Sequence, residues 1–196
     1  DRAAISNLVH DALRMKLSHG FIMDGDAPAN LAVATLLRQW NISPEELTAS
    51  LEGDKFAPEI PSAENLAACL ARDLSQAEPH IRADIPEWLG SSFERAFGDE
   101  WEAEAQAMTA RPPLDLRVNT LAAGREEVLE AFAEQGAQAT RLAPNGIRIE
   151  PGVGPQRQIA ATSEVSFARG WFEIQDEGSQ LAAGLAGAAA GEKVLD

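Results

Sequence analysis

The chain has 196 residues, 16 basic and 31 acidic side chains, a formal charge of −15 and a 45% apolar fraction. That length accommodates one or two domains with cores of their own, and no apolar run approaches the ~20 residues of a membrane span. A single cysteine, Cys69, excludes an internal disulfide and a multi-cysteine zinc site, and with no charged-then-apolar leader the composition fits a cytoplasmic protein.

Ile5, Leu8, Val9, Ala12, Leu13 and Leu17 follow helical spacing and predict an amphipathic helix over 1–17. Pro28 suits a first helical turn, and Leu31, Ala34, Leu37 and Trp40 continue one apolar side. Ser43-Pro44-Glu45-Glu46 reads as a capping box, and Ser62 to Leu74 as a further helix with Leu66, Cys69, Leu70 and Leu74 as its stripe. On that stripe Cys69 is a buried structural thiol, and His10 and His19 carry no assigned chemistry. Asp84 is expected to cap a helix beginning at Pro86 and ended by Gly98, with Trp88, Phe93, Phe97 and Trp101 on its buried side.

From Pro112 the period changes. Leu114, Leu116 and Val118 alternate with Asp115, Arg117 and Asn119, the pattern of a half-buried strand. A helix over Arg125–Gln135 stops at Gly136, and strands at 137–142 and 147–149 flank the Pro144-Asn145-Gly146 turn. The order β-α-β-β is that of a small split α/β domain with one open sheet face. A short helix and a turn at Gly170 are expected in 159–170. Trp171–Gln175 reads as a strand, Ser179 opens an Ala/Leu-rich helix, and Glu192–Asp196 starts another strand.

Charge is distributed unevenly. Residues 1–110 carry 8 basic and 19 acidic side chains, whereas 111–170 carry 7 and 7. All seven cations there are arginines: Arg111, Arg117, Arg125, Arg141, Arg148, Arg157 and Arg169. Arginine suits bidentate phosphate contact and base stacking, so RNA, if bound, is expected on this segment.

Three stretches carry a family resemblance. Gly170-Trp171-Phe172-Glu173-Ile174-Gln175-Asp176-Glu177-Gly178-Ser179-Gln180 with Gly191-Glu192-Lys193-Val194-Leu195-Asp196 resembles the entry to the methyltransferase domain of the Sun/RsmB (Fmu) family of RNA cytosine-C5 methyltransferases. Pro113-Leu114-Asp115-Leu116-Arg117-Val118-Asn119-Thr120 resembles the first strand of that family's small RNA-binding domain, and Ile85-Pro86-Glu87-Trp88-Leu89 the helix before it. The resemblance implies an α+β chain: a NusB-like all-α module over 1–84, a helical linker over 85–110, a small split α/β RNA-binding domain over 111–170, and the first elements of a Rossmann-like methyltransferase domain over 171–196.

It also implies S-adenosylmethionine as the cofactor of the full-length enzyme and RNA, ribosomal in kind, as partner, with neither metal nor membrane. In the family a cysteine thiolate adds to C6 of cytosine and C5 then takes the methyl group. The catalytic cysteines and cofactor loop follow the Val194-Leu195-Asp196 strand in that family. No catalytic or cofactor-binding residue is therefore expected in these 196 residues, which should neither bind the cofactor nor transfer methyl groups alone. The expected RNA contacts are Arg117, Asn119, Arg148, Gln175, Asp176 and Ser179, with helix capping the first-ranked role of Asp176 or Ser179. The competing readings are a non-catalytic RNA-binding or antitermination-like module and a different class I methyltransferase.

Overall fold

The structure is a computed structural model that describes residues 2–154, 159–189 and 191–195. It is an α+β protein whose chain divides into two units, Asp1–Arg111 with Val153–Arg157, and Pro112–Gly152 with Gln158–Asp196. Arg157 and Asp196, both singled out in the sequence, lie outside the described residues.

The first unit is helical. Its expected opening helix is two, α1 (Arg2–Arg14) and α2 (Lys16–Met23). Helix α1 turns part of its expected face outward: Ile5, Val9 and Leu13 are exposed, whereas Ala12 of that face is buried alongside Asn7 and Asp11. The reason is polar. Asp11 accepts hydrogen bonds from the Arg111 guanidinium and, at 3.0 Å, from the Trp40 indole N–H, and Asn7 accepts from Arg111 Nη1. A hydrogen-bonded polar cluster can occupy an interior that periodicity would reserve for aliphatic side chains.

Helices α3 (Pro28–Arg38), α4 (Pro44–Leu51) and α5 (Ala63–Leu70) follow the sequence closely. Pro28 and Pro44 occupy first turns, and Ser43 and Glu46 exchange the expected reciprocal capping bonds. Met23, Val33, Ala34, Leu37, Leu47 and Leu66 form the core; Cys69 packs against it but is only half-buried, a correction to the buried thiol expected.

Asp84 does something else than expected. It sits at φ 52°, and its carboxylate accepts from Leu17 N–H and Ser18 N–H, both at 2.9 Å. It thus caps α2, whose own preceding residue, Met15, offers no capping side chain. The segment at Pro86 is a short 3-10 turn over Glu87–Leu89 without a side-chain cap. Helices α6 (Pro79–Arg82), α7 (Gly90–Phe97) and α8 (Trp101–Thr109) follow, and Gly98, at φ 58°, ends α7 as expected. Phe93 and Trp101 pack on Ala83, Ile85 and Ala105, but Trp88 is 76% exposed and Phe97 41%.

The second unit holds an antiparallel sheet in the order β2-β3-β1-β4. Strand β1 is Leu114–Val118, β2 is Gln138–Ala139, β3 is Gly146–Ile149 and β4 is Phe172–Ile174. Between β1 and β2 runs α9 (Arg125–Ala131), which gives way to a 3-10 turn ended by Gly136 at φ 73°. Before β4 lies the short α10 (Val165–Ala168), and after it α11 (Glu177–Leu185). Leu116, Val118, Val128, Phe132, Ile147, Ile149 and Phe172 form the core, with the Phe132 and Phe172 rings edge to face at 5.3 Å. The stretch from Trp171, expected to open another domain, therefore supplies the fourth strand of this sheet, because β1 has a second edge for Phe172–Ile174 to pair with. Residues 192–195, expected as a strand, form none.

Candidate nucleic-acid interface

The second face of the sheet is only partly open, because α11 is anchored on it. Asp115, expected to face solvent, is 4% exposed. Its carboxylate takes Arg148 Nε at 2.8 Å and Nη2 at 2.7 Å, and also the Glu177 N–H at 2.9 Å. Such a bidentate guanidinium–carboxylate pair is among the stronger charged contacts, and it holds Asp115 below the usual carboxylate range. Glu177 reaches back to Leu142 and Ala143, accepting both N–H groups at 2.7 and 2.9 Å, which fastens the β2–β3 connection to the helix start.

The first turn of α11 is capped by carboxylates. Glu177 N–H goes to Asp115, Gly178 and Ser179 N–H go to the Asp176 carboxylate, and Gln180 N–H goes to the Asp176 carbonyl. Three of the N–H groups that a helix normally leaves open, those of Glu177, Gly178 and Ser179, have side-chain acceptors, and the Gln180 N–H begins the helical ladder. Asp176 thus has the capping place; Ser179 receives that cap through its N–H.

The arginines divide by what they touch. Arg111 is bound to Asp11 and Asn7, and Arg148 to Asp115 with Glu177 at 3.8 Å. Arg125 donates to the Pro144 and Thr140 carbonyls, and Arg169 lies over the Trp171 ring, 5.6 Å from its centroid. Arg117 and Arg141 are exposed, and their side chains have no hydrogen bond or ion pair among the described residues. Arg117 faces Gly146 on one neighbouring strand and Glu173 on the other. It lines a groove of about 510 Å³ with Pro144, Asn145, Gln180, Leu181 and Leu185.

The remaining expected contacts scatter. Asn119 is tied at both ends of its amide: Nδ2 donates to Gly170 O at 2.9 Å and Oδ1 accepts from Leu121 N–H. Gln175 extends the ladder by donating its N–H to Asp115 O, and its side-chain oxygen is buried without a partner. Gln180, which the sequence reading passed over, joins the site: its Nε2 donates to Leu116 O and Gln175 O, so its position beside Arg117 is fixed. The signal was its spacing of four from the cap residue Asp176, which sets both on one helical face. Arg148 is on the same sheet face as Arg117 but is held by its carboxylates, so the structure unites Arg117 with Gln180 rather than with Asn119 or Arg148.

Residues 85–154 match the family model described as the ferredoxin-like domain of RsmF/B-like methyltransferases. A ribosomal RNA small subunit methyltransferase B of Pseudomonas syringae pv. tomato is 34% identical over 119 residues, covering 61% of this chain and 26% of the relative. One from Pseudomonas putida is 34% identical over 139 residues, 68% of this chain and 28% of its own. A probable ribosomal RNA small subunit methyltransferase B of Synechocystis is 33% identical over 118 residues, or 57% and 25%. The matched part thus spans about a quarter of these relatives. The crystal structure of PH0851 superposes with a TM-score of 0.56 at 20% identity over 92% of this chain and 45% of that one, which shows a shared fold. Residues 85–154 carry the RsmF/B-like ferredoxin-like domain, and the chain is a sequence relative of the ribosomal RNA small subunit methyltransferases B, the Sun/RsmB family.

Proposed function

We propose that the chain is part of an S-adenosylmethionine-dependent ribosomal RNA cytosine-C5 methyltransferase, in which its sheet unit holds RNA at Arg117. The relatives' names support the enzyme class and the ribosomal substrate. The observation that carries the contact is Arg117 itself: an exposed guanidinium without a partner among the described residues, set in a groove with apolar walls at Leu181 and Leu185. A guanidinium of this kind meets a phosphate, and apolar walls accept the face of a base. Arg141, exposed and also without a partner, adds a second cation on the same unit.

Residues 1–84 are read as a NusB-like helical module, and the chain from Trp171 as the approach to a Rossmann-like methyltransferase domain. The N-terminus of α11 does not fit the cofactor's carboxylate. The helix that follows β4 has the N–H groups of its first turn taken by Asp115 and Asp176, and their negative charge leaves no cradle for a carboxylate there. Cys69, on a helix of the other unit, is not assigned the nucleophile's role. No step of methyl transfer is therefore placed on these residues.

The test is binding of small-subunit ribosomal RNA to the 196-residue chain across a salt series. Arg117→Ala should weaken binding by about 1–3 kcal/mol and make the salt dependence shallower by about one unit of slope. Equal affinity and equal slope would remove Arg117 from the interface. Bisulfite sequencing of ribosomal RNA from cells with and without the gene tests the C5 assignment.

A further inference from the structure

We infer that a second anion site lies in the acidic helical unit: the concavity lined by Arg14 and Arg111 binds a phosphate group. It goes beyond the contact at Arg117 and rests on different residues. Arg14 ends α1, and Arg111 follows α8; Asp11, Gln39 and Thr109 complete the lining. Among the described residues, two cations thus face one carboxylate.

That carboxylate is already engaged. Asp11 Oδ1 takes Arg111 Nη2 at 3.0 Å and Nε at 3.3 Å, and its Oδ2 takes the Trp40 N–H. Arg14 is half-buried, and its side chain has no hydrogen bond or ion pair among the described residues. The C-terminal dipole of α1 favours a cation at this place but supplies no acceptor to its five N–H donors. A half-buried guanidinium with no acceptor from the described residues keeps its donors free, and an anion entering the concavity would engage them. Burial and the neighbouring Arg111 both depress the pKa of Arg14, which is what surplus positive charge in a confined space does.

Size agrees with a phosphate group. The concavity holds about 50 Å³, and at the roughly 10–15 Å³ that one water needs it takes about four such atoms. A nucleobase does not fit that space, whereas a phosphodiester or inorganic phosphate does. Both arginines have donors left for it, since Arg111 uses three of its N–H bonds on Asp11 and Asn7.

The test uses the 196-residue chain, with inorganic phosphate at constant ionic strength as the first probe and ribosomal RNA as the second. Phosphate should raise the melting temperature saturably; Arg14→Ala should abolish the rise, Arg14→Lys should keep part of it, and Arg2→Ala, an exposed cation on the same helix, should leave it intact. Arg14→Ala should also lower RNA affinity on the order of tenfold and the salt slope by about one, the effect of one lost phosphate contact. A phosphate response with unchanged RNA binding upholds the site and assigns it free phosphate; an RNA effect assigns it the RNA backbone. Absence of both responses overturns the site, whatever Arg117→Ala does.

Discussion

Asp115→Ala removes the acceptor on which the second unit converges. Three hydrogen bonds go with it: two from Arg148 at 2.8 and 2.7 Å and one from the first N–H of α11 at 2.9 Å. Breaking a wholly buried ion pair costs about 3–5 kcal/mol because the surviving charge is left without solvent. Here the Arg148 side chain is 35% exposed and recovers part of its hydration, whereas the Asp115 side chain is 2% exposed. The expected loss is therefore about 2–3 kcal/mol, or roughly 10–20 °C in melting temperature for a unit of this size. Urea denaturation followed by circular dichroism gives the magnitude, and amide hydrogen exchange shows whether the loss sits in β1, β3 and α11. Asp115→Asn should cost less, since an amide oxygen still accepts from Glu177. Acid should mimic the substitution. Asp115 is held below its ordinary pKa chiefly by Arg148, and Glu177 chiefly by the Ala143 N–H. Their contribution is complete above the unfolded carboxylate range of about pH 4 and is lost as pH falls through the lower folded values. A destabilisation under 0.5 kcal/mol, on the order of a surface substitution, would show that water serves this network as well as Asp115 does.

Asp84→Ala should destabilise the helical unit by about 1–2 kcal/mol in urea titration, the cost of an N-cap, with Asp84→Asn close to neutral because asparagine tolerates a positive φ and keeps one acceptor. Gly146→Ala should cost about 1–3 kcal/mol by thermal melting, since the new Cβ runs into the Thr140 hydroxyl and lies 3.1 Å from Ala143 Cβ. His19, fully buried against Thr35, is pushed down to about 4, first by burial and then by Arg38. Its neutral form therefore stabilises the unit fully above about pH 6.5, and that part is lost as pH falls towards 4; His19→Gln should flatten the pH profile of unfolding in that window.

Where one short segment decides the outcome, the sequence was sufficient. Ser43 and Glu46 are three residues apart, Gly98 and Gly136 end their helices through their own φ, and Pro144-Asn145-Gly146 joins the two strands beside it. Alternation along β1 located the strand and its buried aliphatic face. What failed depended on distant partners. Asp115 looks like a solvent residue until Arg148, thirty-three positions on, meets it. Asp84 looks like a local cap until α2 is placed against it across 67 positions. The face of α1 was misjudged because a buried Asn7–Asp11–Arg111 cluster has no hydrophobic period to announce it. Of the interface, Arg117's exposure was legible from alternation, while the occupation of Arg148 by Asp115, 33 positions away, and of the Asn119 amide nitrogen by Gly170, 51 positions away, was not.

Strand β1 receives one neighbour from 146–149 and the other from 172–174. A protein piece ending at residue 154, where the matched family segment stops, would keep the first and lack the second. The β4 side of β1 would then present bare N–H and C=O groups, with no Phe172 ring to cover Phe132. An open apolar edge of that kind recruits strands from other molecules. Such a piece should self-associate, whereas one carried through Leu185 should stay monodisperse, so the shortest well-behaved length of this unit is set by a strand that lies beyond the segment by which its kinship is recognised.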